Sequence, residues 1–328
     1  MDQFPYKIPL LIFGLCAASL SIDCFHFIAD NQPLVMILGI VILFSLLLSL
    51  NTIITTQYVI TQFNADYDIA YAHYSKLSSL GLMIASLSLA FFYHTLPASY
   101  FFYIASLLYF ISALTLLPNL KVHTFITTHH SPKPNLPIFA TLKHSLGLLI
   151  PICCVAFSES AFNVNFEVIA FTLKSTPFFI IFLFGLISGL LDWITSHLYP
   201  RYFSPLPEKH KWQLLLASFS SLFFLAFLMD RLHYAQQTWF LPTLAILLEI
   251  IGIIWGIFIA AKIRSVCPSG QYGQMMAIFR IPRAMITFIG IIGIGALLDQ
   301  QALWFVFFIN TVLFILTSVF LIFRQRKS

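Results

Sequence analysis

Residues 34–50 read LVMILGIVILFSLLLSL, seventeen positions without a charge. At ~1.5 Å of rise per residue, a helix over this run and its flanks crosses a hydrocarbon core ~30 Å thick. Residues 178–191, FFIIFLFGLISGLL, repeat the pattern. Both runs are apolar on every face, whereas a membrane β-strand alternates apolar and polar residues over ~10 positions. The reading is therefore helical, and the rest of the chain extends it. Of 328 residues 59% are apolar, 16% aromatic and 9% charged, against roughly 25% charged in an ordinary soluble domain. The 17 Lys and Arg plus 12 Asp and Glu are too few to coat a soluble fold of this length. A polytopic membrane protein is predicted. Disorder, a disulfide scaffold and a nucleic-acid binder are excluded by the same figures. Cys16, Cys24, Cys153, Cys154 and Cys267 form no C-x-x-C spacing and read as small apolar packing residues.

Apolar runs of ~20 residues predict ten spans, at 8–29, 33–55, 77–96, 99–118, 145–171, 178–198, 213–229, 238–261, 284–299 and 302–323. Short polar breaks (ADNQP, HTLPA, KSTP, DRLHYAQQT, DQQ) fall on one side; the longer breaks and both termini fall on the other. Cytoplasmic loops hold the Lys and Arg of a membrane protein. Only Lys174 and Arg231 lie on the short-loop side, so 17 minus two leaves fifteen cations on the long-loop side, Arg280 and Arg283 among them. The prediction is ten helices with both ends cytoplasmic. Residues 119–144, rich in Pro and His, read as a linker between an N-terminal four-helix part (1–118) and a C-terminal six-helix bundle (145–328). His129 and His130 in that linker read as solvated loop residues.

An ionisable side chain within a span is expensive unless it meets a partner or a cavity, so each is a candidate functional residue. Glu159, Asn163 and Glu167 in SESAFNVNFEVIAF follow i, i+4, i+8 spacing, which winds into one polar stripe ~12 Å long. The stripe reads either as the lining of a water-filled path or as interhelical hydrogen-bond glue. Glu249 stands alone in LPTLAILLEIIGIIWG, at the depth where a transporter keeps its substrate or proton site. Asn51 opens a polar cluster at the cytoplasmic end of the second span, a vestibule lining or a helix exit. Asp23 and His26 read as a wet pair at the outer surface. Asp192, near Arg201, reads as a pin for loops. Gly252 and Gly256, and Gly290, Gly293 and Gly295, predict close helix approach.

No phosphate loop, zinc spacing, nucleophile elbow or other cofactor-binding motif is present, so neither cofactor nor metal is implied. The midplane carboxyls suit translocation better than hydrolysis. A polytopic enzyme acting on lipid-linked substrates is the alternative, and it would need Asp23, His26, Asp66 and Asp68.

The order of features resembles the major facilitator superfamily of transporters. The loop Cys267–Met276, CPSGQYGQMM, and the small-residue helix TFIGIIGIGALL after it are similar to the loop and eleventh helix of family exporters. Gln62–Lys76 with SSLGLMIASLSLAF is similar to the loop and start of the family's fifth helix, and SGLLDWITSHLYPR retains Gly189, Asp192 and Arg201 of a family signature at altered spacing. The resemblance implies an all-α, major-facilitator-like bundle working by alternating access. On this alignment the family's first two helices are absent, leaving a partner to supply them or a remnant that no longer transports. It further implies that Asn51, Glu159, Asn163, Glu167 and Glu249 lie on cavity-lining helices. The expected activity is export of a small organic solute across a bacterial cytoplasmic membrane, with H+ as the coupling ion.

Overall fold

The computed structural model describes residues 7–26, 43, 47, 51, 55, 67–92, 98–119, 138–160, 178–266, 272–300 and 302–325. Nine long helices run through them: α1 (Lys7–His26), α2 (Tyr67–Phe92), α3 (Ala98–Thr115), α4 (Ile138–Glu159), α5 (Phe178–Tyr202), α6 (Glu208–Arg231), α7 (Phe240–Val266), α8 (Tyr272–Asp299) and α9 (Leu303–Gln325). Each overlaps one predicted span. The second predicted span is represented by Leu43, Leu47, Asn51 and Thr55, all helical. No strand occurs among the described residues. Four helical segments are long and apolar enough to cross a membrane: Glu208–Arg231, Phe240–Val266, Met275–Leu298 and Leu303–Phe323. Shorter apolar segments lie in α1, α3 and α4.

The chain forms two compact units. One holds Met1–Asp66, Phe91–Asn135 and Pro268–Gln274; the other holds Tyr67–Ala90, Leu136–Cys267 and Met275–Ser328. In the first unit α1 packs on α3. The Ser19 hydroxyl donates to the Ser106 carbonyl at 2.9 Å, and the two serine hydroxyls lie 2.9 Å apart. Such pairs tie helices where lipid tails are as apolar as leucine and the hydrophobic effect is weak.

In the second unit α9 packs on α6 and α4, and α7 on α5 and α6. Aromatic side chains hold these contacts. Phe314 of α9 stacks against Phe219 and Phe223 of α6, with ring centroids 4.8 and 5.7 Å away. Trp212 of α6 meets Trp255 and Phe258 of α7 edge-on, the arrangement the ring quadrupole favours. Polar links cross α4 and α9: Ser158 donates to Oδ1 of the fully buried Asn310, and Cys154 Sγ lies 2.9 Å from the Thr317 hydroxyl. The α6 start is pinned by Lys262, whose Nζ reaches the Glu208 carboxylate at 2.7 Å.

Several boundaries differ from the sequence reading: α2 begins at Tyr67, ten residues before its predicted span, and α4 at Ile138, seven before. The segment 262–283 was expected to be a cytoplasmic loop, yet α8 begins at Tyr272 and the apolar segment at Met275. Arg280 and Arg283 are therefore helical residues rather than loop cations. The run YGQMMAIFRIPR is polar enough to hide a helix from a hydropathy window.

Candidate functional site

The helix α5 carries a face of small and polar residues: Gly185, Ser188, Gly189, Asp192 and Ser196. Spacings of three and four place them on one stripe. Against it stands α2, with Ser75, Ser79 and Ser86 on its own stripe. A Cβ at Gly185 would collide with the Ser86 side chain, and one at Gly189 would lie 3.0 Å from the Ser79 carbonyl and 2.6 Å from Met83. The absent side chains let the two helices approach closely.

That approach brings serine hydroxyls to Asp192. Ser75 and Ser196 donate to Oδ1 at 2.8 and 3.0 Å, and Ser79 donates to Oδ2 at 2.5 Å. The expected role of Asp192 as a loop pin is corrected: the carboxylate is held by three hydroxyls from α2 and α5. One turn earlier, Ser188 donates to Oε1 of Glu249 at 2.5 Å. The carboxyl read from the eighth span is thus fixed in orientation by the neighbouring helix.

Glu159 is the last residue of α4 as described, and its Oε2 accepts from Arg283 of α8 at 2.6 Å. The guanidinium side chain is 51% exposed and the carboxylate 32%. Pro282 precedes Arg283 within the helix, where its missing N–H frees a carbonyl of the preceding turn.

These groups surround a cavity of about 610 Å³. Glu159, Asp192 and Glu249 all line it, with Ser75, Ser158 and Ser188, and among the described residues no Lys, Arg or His is on its wall. The remaining wall is apolar, including Phe219 and Phe223. Gly252 and Gly256 lie on the wall too, and a Cβ on either would meet none of the described residues within 4 Å. Their expected role in close helix packing is corrected: they leave room in the cavity. Gly293 and Gly295 likewise face open space, while Gly290 fits against Ser160 and Phe157 as expected.

The structure places the sequence candidates as follows. Glu159 and Glu249 come to one cavity. Asn163 and Glu167 lie outside the described residues. Asn51 belongs to the other unit, buried against Gly14 with both side-chain polar atoms unpartnered, and is not on the cavity wall. Sequence reasoning missed Asp192, Ser188 and Arg283 as site residues. The signal that would have found the first two is the small-and-polar stripe on α5. Among the described residues no three His, Cys, Asp or Glu side chains converge to hold a metal ion.

No family model matches the chain, and no curated protein does. Solved structures do. One is the crystal structure of a bacterial homologue of the iron transporter ferroportin in its outward-facing state, at 14% identity and a TM-score of 0.68. The match covers 97% of this chain and 81% of that one. At this identity the likeness is one of fold alone: the described residues form an all-helical bundle like that of this structure.

Proposed function

We propose that the protein is a secondary transporter that moves a small organic solute through the cavity by alternating access. The observation that carries this reading is the placement of Glu159 and Glu249 on one 610 Å³ cavity within a transporter-like bundle. Carboxyls within spans cost several kcal/mol unless they meet a partner or a cavity. In a transporter they hold a proton or a charged solute and release it when access changes. Glu249 and Glu159 are accordingly the proton-coupling groups, and the exporter-like loop at Pro268–Gly273 favours export.

A second reading, transport of a metal cation, is favoured by the ferroportin homologue, which bears the name of an iron transporter. It has less support here, since hard cations take six or more oxygen ligands and the described carboxylates do not converge.

Flux into proteoliposomes under an imposed pH gradient tests the proposal. Glu249→Gln abolishes proton-driven flux while leaving the melting temperature in detergent unchanged. Flux that persists in both Glu249→Gln and Glu159→Gln sinks the coupling role.

A further inference from the structure

The cavity wall has a sign. Among the described residues three carboxylates face it and no basic side chain does. They are not equally neutralised. Arg283, itself off the wall, pairs with Glu159; three hydroxyls serve Asp192; Glu249 has the single hydroxyl of Ser188. A hydroxyl lowers the cost of a buried carboxylate without cancelling its charge. An anionic solute would meet the like charge of Asp192 and Glu249, and a neutral one would leave those two carboxylates without a counter-ion.

The rest of the wall says what the cation must look like. Phe219 and Phe223 line it as almost fully buried rings backed by the stacked ring of Phe314, so that part of the wall is fixed rather than adaptive. The rest of the lining is apolar, from Leu82, Val155, Leu248 and Ile253, which suits an apolar body. The volume lies within the ~300–1,000 Å³ of sites for drug-sized ligands, far above a bare metal ion. Resting on the transporter reading, we infer that the solute is an organic cation with an apolar body, with Glu249 as its principal counter-charge and Asp192 as the second. Arg283 keeps Glu159 out of that role.

Binding of tetraphenylphosphonium to the full chain in lipid nanodiscs tests the inference, with tetraphenylborate as the shape-matched anion. The phosphonium binds saturably and the borate does not. Glu249→Gln weakens phosphonium binding about tenfold or more, equivalent to ~1.4 kcal/mol, with the melting temperature unchanged. Should that variant fail to fold, Gly252→Leu fills the cavity and abolishes the binding instead. Borate binding as tight as phosphonium overturns the inference, as does phosphonium affinity indifferent to both substitutions, or displacement of the phosphonium by equimolar Mn2+. Phosphonium binding with no flux of any solute upholds the cation class and defeats the transporter reading. Flux of an anionic solute, blocked by Gly252→Leu, does the reverse.

Discussion

Asn310 has no exposed surface, and its amide donates to the Val306 carbonyl at 2.8 Å while its Oδ1 accepts from Ser158. Ser158→Ala removes the interhelical half of that arrangement and strands the oxygen. The expected cost is about 0.6–1.5 kcal/mol, in the range of membrane interhelical hydrogen bonds, read as a shift in unfolding by titrated detergent. The Glu159–Arg283 pair behaves differently. Its guanidinium is half exposed, so a double-mutant cycle between Glu159→Gln and Arg283→Gln should give a coupling of about 1 kcal/mol or less. A coupling of several kcal/mol would place the pair in a dry site. Of these residues only Glu159 was legible in the sequence. A carboxylate amid leucines announces itself by its cost, whereas a serine or an arginine at the edge of a polar run announces nothing.

At the scale of elements, the contrast between glycines carries the argument. Gly189 sits where a Cβ would press on α2, and Gly252 where a Cβ would meet none of the described residues. Gly189→Val should therefore part α2 from α5 and destabilise by about 1–3 kcal/mol, as overpacking does. Gly252→Leu should leave the melting temperature within a degree or two and block the cavity. Comparing the two melting curves checks the assignment; equal destabilisation would refute it. The sequence could not make this distinction. Gly252 and Gly256 have the G-x-x-x-G spacing of tight helix pairs, yet spacing fixes only that they share a face, not which object that face meets. Helix existence was legible throughout because long apolar runs leave no alternative. The starts of α2 and α8 were not, because YDIAYAHYSK and YGQMMAIFRIPR are too polar for a hydropathy window.

For the whole molecule, the distribution of cations predicts an orientation. With Ser204→Cys and Gln236→Cys in a cysteine-free background, a membrane-impermeant maleimide should label the second in intact cells. It should label the first only after the cells are opened. The reverse pattern would invert the topology. The fold itself tolerates a free hand at one place. Because the cavity owes part of its width to two missing side chains, a single codon change at Gly252 or Gly256 narrows it while the helix contacts stay as they are. A graded series through Ala, Val and Leu would act as a ruler for the cargo, each step excluding the largest solutes still admitted. Related chains could diverge in what they carry through these two positions alone, with no intermediate that fails to fold.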